Sequence, residues 1–191
     1  HGLFTAAGVP VADVDRVVVG VGPGAFTGVR VGISTALGLG QALGCDVIGA
    51  VSAEAAARGI AAVAPTGAVL VPAADARRGE LFAAAYRDAG DGLETLLAPC
   101  AIAPDALGER IAALCEAAGA PAVAAGAGAE LLAGHLPEGA VVAPPGSPAH
   151  SLDAVHLIAR VDAGAGVPAR PLYARLPDAE VNRRRAREAA R

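Results

Sequence analysis

An α/β fold is what this sequence predicts, on three observations. Arg16-Val-Val-Val-Gly-Val21 is a nearly unbroken β-branched run, the pattern of a strand covered on both faces in a parallel sheet. It passes through Gly22-Pro-Gly-Ala-Phe-Thr-Gly28 into the helix-forming stretch Val29 to Leu43, closed by Gly44; strand, glycine turn and helix make half of a βαβ unit. From Gly67 the rhythm changes: two extended stretches, Gly67 to Ala74 and Glu80 to Arg87, flank Asp75-Ala-Arg-Arg-Gly79, a hairpin signal with glycine in the turn.

The remaining elements follow in order. His1 to Gly8 reads as the end of a helix, closed by Gly8 and Pro10, with Val11 to Asp15 as connector. Cys45 to Gly49 is the second strand, and Ser52 is the expected N-cap of a helix over Ala53 to Val63 that Pro65 ends. Leu93 to Ala98 extends the hairpin as a third antiparallel strand. Pro104 to Ala118 is an amphipathic helix, with Leu107, Ile111, Leu114 and Cys115 at helical spacing. Ala122 to Ala125, Glu130 to Leu136 and Ala140 to Ala143 read as strand, short helix and strand, and Ser151 as the cap of a helix reaching about Arg160. The end of the chain, from Asn182, is arginine-rich and helical or frayed.

Composition narrows the function classes. Of the 191 residues 54% are hydrophobic but only 3% aromatic, so the core is built from Val, Leu, Ile and Ala, which argues against an aromatic cage or stacking platform. The longest stretch without a charge, Gly59 to Ala74, has 16 residues and contains Pro65 and Pro72, so no membrane-spanning helix is expected despite a mean hydropathy of +0.49. Fifteen basic and 19 acidic residues give a net charge of −4, which argues against a surface that coats nucleic acid and leaves room for a local basic patch. Cys45, Cys100 and Cys115 are odd in number and never form Cys-x-x-Cys, so neither a disulfide framework nor a zinc ribbon is expected, and a reducing cytoplasm is the expected compartment. No basic-then-apolar leader opens the chain, and no methionine stands at His1, so the natural start is expected upstream.

The segment from Gly22 to Gly32 carries the most chemical information. A phosphate-cradling P-loop needs a lysine, and this chain has none. A dinucleotide fingerprint fits Gly20-Val-Gly22-Pro-Gly-Ala25 only by letter, because no acidic residue ends the next strand to hold a ribose. A tight turn that packs helix on sheet is the alternative. Within the helix that follows, Gly32, Ala36 and Gly40 recur every four residues as a shallow ridge, beside a row of Ile33, Leu37 and Gln41. A helix apolar all round needs cover on both sides: the sheet on one, and another segment or a partner on the other. Arg30 opens this helix, where a cation opposes the helix dipole, so an acidic or carbonyl partner is expected. Asp75, Arg77 and Glu80 are candidates for an ion pair across the hairpin. Ser151, Asp153 and His156 have the residue types of a triad, but serine before an apolar helix reads better as a cap.

Three landmarks carry a family resemblance. Gly22-Pro-Gly-Ala-Phe-Thr-Gly-Val-Arg-Val-Gly32 resembles the G-P-G-S-F-T-G-x-R-x-G signature of the TsaB (YeaZ) family, matching at Gly22, Pro23, Gly24, Phe26, Thr27, Gly28, Arg30 and Gly32, with Ala25 where serine is usual. Asp75-Ala-Arg-Arg-Gly-Glu80 resembles its D-A-R-x-G-E hairpin, at Asp75, Arg77, Gly79 and Glu80. Pro171-Leu-Tyr-Ala-Arg175 resembles its P-x-Y-L-R, with Ala174 replacing leucine. The resemblance implies an ASKHA-type fold (actin-like ATPase, ribonuclease-H-like) in two lobes: residues 1–66 as an N-terminal lobe lacking its first strands, 67–175 as a C-terminal lobe and 176–191 as a tail.

The resemblance also implies a function: a non-catalytic subunit, without metal or cofactor, that supports threonylcarbamoyladenosine formation in tRNA. The expected partner is a TsaD-like subunit, or a second copy of the chain, docked on the helix of Gly32, Ile33, Ala36, Leu37, Gly40 and Gln41; a TsaE-like ATPase joins them. TsaD-like proteins hold metal through His-x-x-x-His, and His1, His135, His150 and His156 have no such spacing. The tail from Leu176 to Arg191 holds five arginines, Arg183 to Arg191, against Asp178, Glu180 and Glu188, a net +2 that reads either as a contact for tRNA phosphate or as a solvated end. The family's Asp-Thr-bearing first hairpin is absent, which leaves Arg16 to Val21 as an unpaired apolar edge. The rival readings are an ASKHA-type ATP-dependent enzyme, an M22-like metallopeptidase and a nicotinamide-dependent Rossmann enzyme.

Overall fold

The computed structural model describes residues 2–90 and 92–175. The arginine-rich tail, with its expected tRNA contact, lies outside the described residues. In chain order the elements are α1 (Gly2–Ala7), β1 (Arg16–Gly20), α2 (Phe26–Leu43), β2 (Asp46–Ala50) and α3 (Ser52–Ala61). Then come β3 (Val69–Arg77), β4 (Glu80–Asp88), β5 (Leu93–Ile102), α4 (Pro104–Ala118), β6 (Ala122–Ala125), β7 (Val141–Val142), α5 (Ala154–Arg160) and β8 (Val167–Pro168).

They form two sheets. The first has the order β1-β2-β8, with β1 and β2 parallel (Val18 opposite Ile48) and β8 antiparallel to β2. The second has the order β5-β4-β3-β6-β7, in which β3, β4 and β5 run antiparallel and β6 and β7 parallel to β3. Among the described residues β1 has a single strand partner, and Val17, Val18 and Val19 are half-buried instead of covered on both faces. The β-branched run specifies a strand; an edge position accounts for the lower burial.

Alternation along β3 and β4 divides the core between the two faces of the larger sheet. Val69, Val71, Ala73, Leu81, Ala83 and Ala85 pack with Leu107 and Ile111 of α4 and with Leu132. On the opposite face Leu70, Ala84, Tyr86 and Val123 pack with Ala53, Ala57 and Ile60 of α3. Thus α3, which directly follows a strand of the first sheet, spends its apolar face on the second. A Glu54 to Arg160 ion pair at 2.6 Å, with the Arg160 side chain only 9% exposed, ties α3 to α5. Beside it the buried Tyr86 hydroxyl has no hydrogen-bond partner among the described residues.

On the first sheet, α2 lays Ile33, Ala36 and Gly40 against the strands. A Cβ added at Gly40 would stand 2.3 Å from Val47 Cγ2, so glycine there permits the close approach of helix and sheet. The helix begins at Phe26, three residues ahead of the expected Val29, and ends in left-handed Gly44 (φ +68°). α4 and β6 cover the residues their local signals specify.

Two caps differ from expectation. Ser52 lies inside α3, where its hydroxyl serves the loop of Gly22 instead of the helix end. Asp153, not Ser151, caps α5, its carboxylate accepting the Val155 N–H at 3.0 Å. Among the described residues no helix is long and apolar enough to cross a membrane.

Candidate functional site

The three landmark segments, remote in sequence, converge on one cleft of about 530 Å³ lined by Gly24 to Phe26, Asp75 to Arg78, Phe82 and Leu172 to Arg175. The glycine loop forms its first wall. Gly22 has φ +102°, and a Cβ there would lie 3.0 Å from the Leu172 carbonyl, so glycine meets both a backbone requirement and a steric one. Ser52 holds this loop from below: its Oγ accepts the Gly22 N–H at 3.1 Å, and its own N–H donates to the Gly22 carbonyl at 2.9 Å.

The hairpin forms the second wall. Arg77, Arg78 and Gly79 all have positive φ (63°, 58° and 76°), the last two as the central turn residues between the paired Arg77 and Glu80. The Asp75 carboxylate accepts the Arg77 N–H at 2.7 Å and meets its guanidinium at 3.2 Å. One half of the expected hairpin ion pairing is therefore Asp75 with Arg77. Glu80 goes elsewhere, to Arg175, which also donates to the Ala76 carbonyl at 3.0 Å and lies over the Phe82 ring.

Arg30 differs from expectation as well. Its partner is not a carboxylate or carbonyl: Nε donates to the Tyr173 hydroxyl at 2.7 Å, and the guanidinium lies 3.8 Å above the Phe26 ring. Phe26 and Tyr173 stack at 5.5 Å. Aromatic faces and a phenol oxygen supply the attraction that offsets the unfavourable helix-dipole position. Three of the chain's five aromatic residues, Phe26, Phe82 and Tyr173, line this cleft, so a composition poor in rings overall still concentrates them at one place. Thr27 and Gly28 are exposed in the first turn of α2.

The small-residue ridge of α2 is not one surface. Ile33, Ala36 and Gly40 are buried on the sheet, which corrects their assignment to a partner-facing row, while Gly32, Leu37 and Gln41 are exposed. The reason is helical geometry: positions 33, 36 and 40 form an i, i+3, i+7 row, and that row is the one the β-strands cover. Val31 (59% exposed), Leu37 (48%) and Leu39 (50%) project from the uncovered sides. Built Cβ atoms at Gly32 and Gly38 meet nothing within 4 Å.

Two of the histidines have structural surroundings. His150 Nε2 lies 2.9 Å from the Ala143 carbonyl, and its Nδ1 accepts the Gly126 N–H at 3.2 Å; His156 packs beside Gly59. The Asp153 carboxylate is engaged in its cap, so Ser151, Asp153 and His156 do not form a relay. Among the described residues no group of three or more His, Cys, Asp or Glu is placed to hold a metal ion. The roles of Ser52, Phe82 and Leu172 at the site, where Ser52 was expected only as a helix cap, rest on long-range contacts that no local pattern encodes.

Two sheets carrying helices, with the glycine loop and hairpin facing a common cleft, define an α/β protein of ASKHA-like fold. Two solved Pseudomonas aeruginosa structures, one described as YeaZ and one as similar to peptidase YEAZ, superimpose with TM-scores of 0.67 and 0.69 at 25% and 29% identity, covering 90% and 91% of this chain and 80% of each of theirs. A family model described as TsaD, tRNA N6-adenosine threonylcarbamoyltransferase, matches residues 1–126. An uncharacterized Mycobacterium tuberculosis protein is 36% identical over 175 residues, 91% of this chain and 70% of its own. The Escherichia coli tRNA threonylcarbamoyladenosine biosynthesis protein TsaB is 38% identical over 92 residues, 48% of this chain and 39% of its own. The match to a Mycobacterium leprae relative, 50% identical over 76 residues, spans 40% of this chain and 20% of that protein. The chain belongs to the TsaB/YeaZ family, within the wider group that the TsaD model describes.

Proposed function

We propose that this protein is a non-catalytic scaffold subunit that binds a TsaD-like partner through the uncovered sides of α2 and so supports N6-threonylcarbamoyladenosine formation in tRNA. Family membership supports the pathway, and the observation that carries the docking surface is α2 itself. Three large aliphatic side chains, Val31, Leu37 and Leu39, are about half exposed on a helix already packed on its sheet. Gly32 and Gly38 each cost a helix interior about 1 kcal/mol relative to alanine. Nothing in the described chain uses the space above them, and a partner backbone in close approach would. Scattered exposed aliphatics are ordinary; three on one helix together with open glycines support reading α2 as an interaction surface.

The two-lobe division at residue 67, a homodimer competing for the same helix, a TsaE-like ATPase as third component and a cytoplasmic location belong to the same proposal. Reconstitution tests it. The purified protein alone is expected to leave tRNA, ATP and peptides unchanged, and the TsaD-like subunit with its other components is expected to modify tRNA only when this protein is added. ATP turnover or peptide cleavage by the isolated protein would instead support the ATP-dependent or metallopeptidase reading.

A further inference from the structure

We infer that the segment from Pro171 to Arg175 is a strap that couples the two sheets, with Arg175 as its lock. At one end the Leu172 N–H donates to the Val21 carbonyl at 2.8 Å, immediately beyond β1, and the Leu172 carbonyl lies over Gly22. In the middle Tyr173 stacks on Phe26 and accepts from Arg30, which fixes the start of α2. At the other end the Ala174 carbonyl accepts the Ala101 N–H of β5 at 3.2 Å. Arg175 reaches from there into the hairpin, pairing with Glu80 and donating to the Ala76 carbonyl at 3.0 Å. Four consecutive residues, Leu172 to Arg175, thus reach the loop after β1, the start of α2, the outer strand of the second sheet and the β3–β4 turn.

The chemistry of the two ends differs. The Leu172 end rests on one neutral backbone bond and on close packing. The Arg175 end is charge-assisted, with its side chain a quarter exposed and that of Glu80 40% exposed, and Leu172 and Tyr173 beside it are open to water as well, at 38% and 44%. Segments held by few, partly exposed bonds open independently of the global core. Release of Arg175 therefore frees residues 171–175 from the hairpin while both cores stay folded.

Amide hydrogen exchange on the full chain tests this, and it does not depend on the proposed partner. In Arg175→Ala the Ala101 and Leu172 amides are expected to exchange about tenfold faster or more, while core amides such as Leu70 and Tyr86 keep their wild-type rates. Glu80→Ala reads the same amides should Arg175→Ala fail to fold, and the exchanged pair Glu80→Arg with Arg175→Glu is expected to restore most of the protection. Unchanged exchange at Ala101 and Leu172 in the single variants would overturn the inference. So would an equal acceleration of every amide, which would make Arg175 a residue of global stability and not a lock.

Discussion

Gly22 and Ser52 exchange two hydrogen bonds, N–H to carbonyl at 2.9 Å and N–H to hydroxyl at 3.1 Å, so the first residue of the glycine loop is fixed by the first residue of α3. Ser52→Ala removes the acceptor and leaves the Gly22 N–H, on a buried residue, without it. A loss of about 1–2 kcal/mol is expected in urea denaturation. A serine acting only as a surface residue would give a change within about 0.5 kcal/mol.

Two glycines of one helix are expected to respond in opposite directions. At Gly40 an added methyl meets Val47 Cγ2 at 2.3 Å and the Cys45 carbonyl at 3.0 Å, so Gly40→Ala lowers stability by about 1–3 kcal/mol. At Gly38 it meets nothing, so Gly38→Ala raises the stability of the isolated protein by roughly 0.5–1 kcal/mol. Gly38→Ala is also expected to weaken binding of the partner proposed for this helix. Thermal unfolding of the two variants, with a binding assay on the second, reads both effects.

Tyr86 gives a pH prediction. Burial, reinforced by the nearby Glu54 charge and opposed by Arg160, holds its phenol well above the ordinary value of 10.0. With a raised folded-state pKa, the group's contribution is intact below pH 10 and declines as pH rises past it, because the unfolded chain ionises first; the limiting slope is about 1.4 kcal/mol per pH unit. Cys100 and Cys115, also pushed up by burial, add losses above pH 9. Subtracting Tyr86→Phe from wild type isolates the tyrosine: the difference should be flat to pH 9.5 and slope beyond 10. At pH 7 the substitution is expected to cost less than about 1 kcal/mol, since the hydroxyl has no partner to lose. A difference that stays flat to pH 11 would contradict this.

The Glu54 to Arg160 pair is a second buried polar commitment. Arg160→Leu leaves the Glu54 carboxylate unpaired beside the core and is expected to cost about 3 kcal/mol or more, whereas Glu54→Leu with Arg160→Leu recovers a good part of it. A double-mutant cycle in chemical denaturation measures the coupling. An additive result would mean that the pair is not coupled.

How much of this was legible in the sequence depends on range. α4 and β6 could be read to the residue because Pro104, the Leu107 and Ile111 spacing and Gly119 are local signals. Ser52 and Ser151 both look like caps for the same local reason, yet Ser52 is recruited by Gly22, 30 residues away, and Asp153 outcompetes Ser151. The same distance problem hid the cleft: Glu80 and Arg175 are 95 residues apart, and Arg30 and Tyr173 are 143 apart. The landmark residues could be read one segment at a time; that they share a cleft follows only from packing. Apolar periodicity on α2 was legible, but not which face the sheet would take, because apolar residues occupy every side.

The partner surface is tested most directly by Leu37→Asp. Leu37 is half exposed and outside the sheet-facing row, so the variant should fold with a wild-type circular dichroism spectrum, unlike Ala36→Arg, which would place a charge in the buried row. The account predicts that Leu37→Asp no longer co-purifies with the TsaD-like subunit at concentrations where the wild-type protein does. Undiminished co-purification of the folded variant would contradict it.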